Sequence, residues 1–138
     1  MTYKPQVLVI EDEPCVADAL SIVLSDNGYD VTVARTGFDG LDKSDRQNFD
    51  VTITDLRLPD MSGFDVITNI LEQQPNSIII VITAHFTPDV VVESIKRGAV
   101  DVLAKPFVPS AILTLLRKAL SVRNLDRPIR SRGKAPTA

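Results

Sequence analysis

Four positions in this chain bring reactive side chains to the ends of apolar runs. Glu11–Asp12–Glu13 follows Val7–Ile10, Asp55 follows Val51–Thr54, Thr83 follows Ile78–Ile82, and Lys105–Pro106 follows Val100–Ala104. Clustered carboxylates repel one another, and burying them unpaired is costly. An oxygen-seeking divalent cation relieves this, and Mg2+ typically takes one or two carboxylates together with water and phosphate oxygens. Ionised Glu11, Asp12 and Asp55 carry −3, and Mg2+ with Lys105 carries +3, so the group is neutral only with the metal. A carboxylate can also act as a nucleophile and form an aspartyl phosphate. Metal and lysine would then stabilise the transferring phosphoryl oxygens. In this chemistry Asp55 is the best candidate nucleophile and Asp12 the best direct metal ligand, with Glu11 acting through water. Thr83 would offer a hydroxyl to a phosphoryl oxygen.

These residues must be delivered by elements that all point one way. The five apolar runs are Val7–Ile10, Val31–Ala34, Val51–Thr54, Ile78–Ile82 and Val100–Ala104. Three of them are nearly unbroken Val, Ile and Leu, as in strands buried on both faces of a parallel sheet. Helical spacing lies between them. Val16, Ala19, Leu20, Val23 and Leu24 form one helix face, with Pro14 at its first turn and Gly28 at its end. Ser62 and Asp65 form a capping-box variant ahead of Val66, Ile67, Ile70 and Leu71. Thr87 and Pro88 cap and open a helix that carries Val91, Val92 and Ile95 and ends at Gly98. Pro109 opens a last helix with Ile112, Leu113, Leu115, Leu116, Ala119 and Leu120. Phe38–Gln47 has few apolar residues, and it is assigned as a helix mainly because two parallel strands need a crossover there. The pattern βαβαβαβαβα predicts a doubly wound parallel sheet with helices on both faces. Ligands of such sheets bind at the carboxyl ends of the strands, which is where the reactive residues fall.

The chain has 138 residues, the size of one domain. Aromatics are 5% with no Trp, so the core must be built from Val, Ile, Leu and Ala. A single cysteine, Cys15, excludes an intrachain disulfide and a cysteine zinc site, and points to a reducing, cytoplasmic setting. Its acidic neighbours Glu13 and Asp18 argue against a catalytic thiol. No run approaches the roughly 20 apolar residues of a membrane span, so no membrane is expected. Residues 123–138 hold five basic residues and one acid, which leaves ten basic and seventeen acidic residues in 1–122, a net of −7. An acidic body argues against direct nucleic-acid binding by this domain. The expected organisation is a folded domain over 1–122 and a flexible basic tail or linker remnant over 123–138.

VLVIEDEP (7–14), TDLRLPDMSG (54–63), VITAH (81–85) and GAVDVLAKPF (98–107) together resemble the receiver domains of two-component response regulators, over roughly residues 5–122. The wording is most similar to receivers of the nitrogen-regulation type, which often precede ATPase and DNA-binding domains. The resemblance implies a flavodoxin-like (βα)5 fold with strand order 2-1-3-4-5. Residue by residue it implies Asp55 as phosphoacceptor, Glu11 and Asp12 as the acidic pair, and the backbone carbonyl of Arg57 as a metal ligand. It implies Thr83 as the switch hydroxyl with Ala84 the small residue after it, Lys105 as the phosphate-binding lysine, and a cis Lys105–Pro106 peptide. It further implies Mg2+, a sensor histidine kinase or phosphotransfer protein as phosphoryl source, and a homodimer surface on the fourth helix, fifth strand and fifth helix.

One departure stands out. Many receivers carry Tyr or Phe three residues before the lysine as a rotameric switch, and here that position is Val102. The signal is then expected to pass through packing of the fourth helix against the fifth strand. His85, the lone histidine, is read as a loop residue rather than a phosphorelay histidine. Two other functions share parts of the pattern. Aspartate-nucleophile phosphatases usually need a second aspartate two residues after the nucleophile, and here that residue is Arg57. A phosphorylation-independent interaction module would not need Asp55, Thr83 and Lys105 together.

Overall fold

The structure is a computed structural model, and it describes residues 3–126. Ten elements alternate along the chain: β1 (Gln6–Ile10), α1 (Pro14–Ser25), β2 (Asp30–Ala34), α2 (Gly37–Arg46), β3 (Val51–Asp55), α3 (Gly63–Gln73), β4 (Ile78–Thr83), α4 (Pro88–Lys96), β5 (Asp101–Ala104) and α5 (Pro109–Asp126). The strands form one parallel sheet in the order β2-β1-β3-β4-β5. Of the three central strands, β1 and β4 carry unbroken apolar runs while β3 alternates Val51-Thr52-Ile53-Thr54, and β3 and β4 are buried along their whole length. The edge strands β2 and β5 are only partly covered.

Side-chain alternation along each strand divides the core in two. Val7, Val9, Val51, Ile53, Ile80 and Ile82 pack with Leu20 and Leu24 of α1 and Ile112 and Leu116 of α5. Leu8, Ile10, Ile79 and Val81 pack on the other side with Val66, Ile67 and Ile70 of α3 and with Val102. Glu11 and Asp55 continue the parity of Val9 and Ile53, and Thr83 continues that of Val81. Ile10 pairs with Thr54, Asp55 with Ile82, and Thr83 with Ala104, so the last residues of four strands arrive at one edge in register.

The helix starts use the expected chemistry, with one change of detail. Thr87 Oγ1 accepts from Val90 N and opens α4. Ser62 caps α3 by accepting from Phe64 N, one residue earlier than a capping box would require. Gly28 and Gly98 have φ of 92° and 116°, the left-handed conformation that lets the chain leave α1 and α4. On α1 it is Ala17, not Ala19, that is buried with Leu20 and Leu24.

The crossover helix with the weak apolar signal has a physical explanation. α2 packs through small residues: Gly37, Gly40 and Ser44 are its buried positions. Gly40 lies against Ile10, where a Cβ would sit 2.4 Å from Ile10 Cδ1. Its N-terminus is held by Thr36, which accepts from Asp39 N, and by Asp60, whose carboxylate accepts from Gly37 N and Phe38 N at 2.8 Å each. Asp60, in the loop after β3, thus caps a helix that begins 23 residues earlier in the chain. Its pKa lies below the usual aspartate value: the burial that would raise it is outweighed by the hydrogen bonds from Phe38 and Gly37.

α5 continues to Asp126, beyond the expected domain end at 122. Arg123, grouped by composition with the tail, donates to Asp50 Oδ1 at 2.9 Å, and the other oxygen of that carboxylate accepts from Gln6 N at 2.8 Å. The last turn of α5 is thereby tied to the start of β3. The expected tail over 127–138 lies outside the described residues.

Gly63 marks a close approach to backbone. A Cβ there would lie 2.2 Å from Asp55 O and 2.6 Å from Leu56 Cα, both backbone atoms that cannot swing aside. Gly63→Ala is expected to destabilise the domain by about 2–3 kcal/mol in urea denaturation, the cost of overpacking against rigid backbone. Gly40→Ala, which meets a movable Ile10 side chain, is expected to cost less.

Candidate phosphoacceptor site

β1, β3 and β5 bring their acidic and basic residues into contact at the carboxyl edge of the sheet. Oxygens of Glu11, Asp12 and Asp55 all lie within 4.8 Å of one another. Lys105 Nζ reaches into this group: it is 2.7 Å from Asp55 Oδ2, 2.7 Å from Glu13 Oε1 and 2.9 Å from Glu11 Oε1. Lys105 follows β5 directly, its N–H is held by Thr83 O at 2.8 Å, and the Lys105–Pro106 peptide is cis.

Burial is graded across the site. Glu11 is fully buried, Asp55 is 6% exposed, and Asp12 and Glu13 face solvent. Glu11 Oε2 accepts from Glu13 N at 3.0 Å, while Oε1 has the lysine at ion-pair distance but no hydrogen bond. Burial pushes the Glu11 pKa above the usual carboxylate value, only partly countered by Lys105 and the Glu13 N–H, and the Asp55 charge pushes it the same way. Burial would also lower the Lys105 pKa, but the hydrogen bonds it donates to Asp55 and Glu13 and the proximity of Glu11 outweigh it and hold the ammonium above the ordinary lysine value. Three carboxylates thus share one ammonium, and a fourth, Asp12, is grouped with two of them.

Asp55 is set in place from several sides. Arg57 N donates to Asp55 Oδ1 at 3.1 Å and Lys105 donates to Oδ2. An antiparallel bridge between Arg57 and Ser62 closes the loop into α3. Thr83 is buried, and its Oγ1 accepts from His85 N at 2.9 Å, which orients the hydroxyl beside the loop ahead of α4. Arg57, Thr83, His85, Phe64 and Val90 line one cavity beyond that hydroxyl. Ala84 is exposed and lines an apolar groove with Lys105, Val16 and Phe107. Val102 is 8% exposed and belongs to the core, so no ring occupies its position.

A divalent cation fits this donor set. Glu11 Oε1 is a buried carboxylate oxygen lacking a hydrogen bond, and it belongs to three carboxylates close enough to share one ion. All are hard oxygen donors of the kind Mg2+ takes. The sequence reading missed Glu13, which completes the contacts of Lys105. Its position beside the acidic pair was the available signal, but nothing in the chain indicated that a lysine 92 residues away would reach it.

Comparison with known proteins bears directly on this geometry. The family model of the response regulator receiver domain matches residues 7–117. This chain belongs to that family. As a receiver domain it is a two-component signalling domain, a switch rather than a classical enzyme, and receivers take their phosphoryl group on an aspartate. It is 33% identical over 121 residues to the response regulator protein PilR of Pseudomonas aeruginosa, covering 88% of this chain and 27% of that protein. The chain therefore spans about a quarter of the length of such relatives, 27% for PilR. Among solved structures, the beryllofluoride-activated NtrC4 receiver domain dimer superposes with a TM-score of 0.82 at 35% identity, covering 86% of this chain and 98% of that one. A CheY-like receiver domain protein from Methanospirillum hungatei JF-1 gives a TM-score of 0.86 at 25% identity, covering 90% and 99%. No helix among the described residues is long and apolar enough to cross a membrane.

Glu11 sets a pH-dependent expectation. Its folded-state pKa is raised, so the stability it contributes is present below the unfolded value of 4.5 and is lost as pH rises through the folded value. Without added metal, Glu11→Gln removes a buried charge while Lys105 keeps two other carboxylates. Urea denaturation at pH 7 is expected to show the variant more stable by roughly 1 kcal/mol. The advantage should shrink as pH falls below the raised pKa, because the native side chain then becomes neutral as well.

Proposed function

We propose that this receiver accepts a phosphoryl group on Asp55 from a sensor histidine kinase or phosphotransfer protein, with Mg2+, and signals by a shift between two conformations. The observation that carries this reading is Lys105 Nζ at 2.7 Å from Asp55 Oδ2, beside three carboxylate oxygens grouped within 4.8 Å. When bound, Mg2+ would be held by Asp12 and Asp55, by Glu11 directly or through water, and by the Arg57 carbonyl, and it would offset negative charge on the phosphoryl oxygens. Asp55 supplies the attacking carboxylate oxygen. A new O–P bond forms as the donor's bond to phosphorus breaks, and that electron pair leaves with the donor. Lys105 holds Asp55 in place beforehand and then offers N–H donors to the phosphoryl oxygens. In later hydrolysis a water oxygen bonds to phosphorus as the Asp55 O–P bond breaks; the carboxylate leaves with that electron pair, and the water proton goes with the inorganic phosphate. Arg57 and His85 stand on the approach to this linkage.

The conformational half of the reading rests on Thr83. Its hydroxyl accepts from His85 N and keeps its own O–H free to donate to a phosphoryl oxygen, so a turn of Thr83 toward that oxygen would draw on the loop leading to α4. α4 suits such a response: Ser94 is its one buried residue, and Val92 and Ile95 are 57% and 46% exposed. With the exposed Val100 they provide an apolar face for a homodimer through α4, β5 and α5. With Val102 in place of a ring, the shift travels through the packing of α4 on β5. The lone exposed Cys15 accords with a cytoplasmic setting.

Incubation with acetyl phosphate and Mg2+ is expected to add one phosphoryl group by intact-protein mass. The gain should vanish without Mg2+ and in Asp55→Ala. Labelling that persists in Asp55→Ala would remove Asp55 from the role.

A further inference from the structure

Glu13 has a chemical position that the reading above leaves unused. It precedes α1 at the N-cap, yet its side chain makes no capping bond. Its Oε1 instead lies 2.7 Å from Lys105 Nζ, as short as the contact of that ammonium with Asp55. The two partners differ in surroundings: the Asp55 side chain is 9% exposed and that of Glu13 is 58% exposed. Lys105 itself is 10% exposed, so Glu13 covers the ammonium from the solvent side.

An ammonium has three N–H groups. Two are hydrogen-bonded to Asp55 and Glu13, and the remaining close neighbour is Glu11 Oε1 at 2.9 Å. A phosphoryl oxygen arriving on Asp55 needs one of these donors. The bond to Glu13 is the least costly to surrender, because an exposed carboxylate regains water as it lets go, whereas Glu11 is fully buried.

We propose that Glu13 is a positioning residue that acts as a releasable counter-ion for Lys105: it orients the ammonium in the unphosphorylated domain and competes with the phosphoryl group for it. This inference rests on the assignment of Asp55 as phosphoacceptor. Glu13 does not touch the transferring group. It lowers the occupancy of the phosphorylated state by the free energy of one partly exposed ion pair.

The test uses beryllofluoride, a phosphoryl mimic that requires no donor chemistry, titrated into the chain with Mg2+ and followed by fluorine NMR. Glu13→Gln is expected to bind it about fivefold more tightly, the scale of a single partly exposed ion pair. Labelling by acetyl phosphate should reach a correspondingly higher level. The ammonium NMR resonance of Lys105 reads the contact directly, and in unliganded Glu13→Gln it should shift and exchange faster with water. Unchanged beryllofluoride affinity in Glu13→Gln would overturn the inference. So would a tighter variant whose Lys105 resonance is unmoved, because the effect would then be charge at a distance. If the unaltered chain takes up no beryllofluoride, or Asp55→Asn takes it up undiminished, the assignment of Asp55 fails and the inference falls with it.

Discussion

Everything at the carboxyl edge of the sheet depends on one imbalance: a single ammonium is held by three carboxylates, and a fourth, Asp12, is grouped with two of them. Glu11 and Asp55 are buried, and in a low-dielectric setting each would be costly alone. Lys105 offsets part of that cost by standing within 2.9 Å of Glu11, Glu13 and Asp55 at once. It cannot offset all of it. The surplus negative charge suits the site to a divalent cation.

The rest of the fold makes that crowding possible. Parallel register brings the ends of β1, β3, β4 and β5 level, and side-chain alternation gives Glu11 and Asp55 the same parity on the sheet. Gly63 lets α3 begin against the backbone of Asp55 and Leu56, which keeps the loop after Asp55 short and bridged. On the same face of the sheet α2 lies close to β1 through Gly40, and Asp60, from the loop after β3, caps α2. The loop that carries Arg57 is thus anchored at both ends. Rigidity there contrasts with α4, which buries only Ser94 and is tied to α3 chiefly at its rim, where Arg97 pairs with Glu93 and sits 5.0 Å from the Phe64 ring.

That contrast bears on signalling. A domain that must change shape needs one element with little burial to lose. Thr83 stands between the fixed and the loosely held parts: it is buried at the end of a fully buried strand, and its hydroxyl holds the first turn of the loop that leads to α4. Val102, inside the core beneath that helix, supplies volume without a rotating ring. The contact between α4 and β5 is therefore made by aliphatic packing.

Much of this was legible in the chain. Unbroken Val and Ile runs can be buried only in central parallel strands, and caps such as Thr87 with Pro88, followed by Gly98, delimit a helix without any tertiary help. Asp55, Thr83 and Lys105 could be assigned to one edge because in a parallel sheet every strand ends on the same side. α2 was nearly invisible, since it packs through Gly37, Gly40 and Ser44 rather than through large apolar residues. Val91, Val92 and Leu113 look alike as letters, and only packing makes Leu113 core, Val91 half-buried and Val92 exposed. Arg123 reads as part of a basic tail until α5 extends far enough to meet Asp50. The contacts of Glu13 with Lys105 and of Asp60 with α2 belong to the same class. Local pattern determines which element a residue belongs to, because capping and periodicity act within a few residues. Which distant charge that residue meets is decided only when the chain closes, because the meeting depends on register, crossover and the space that a missing Cβ leaves.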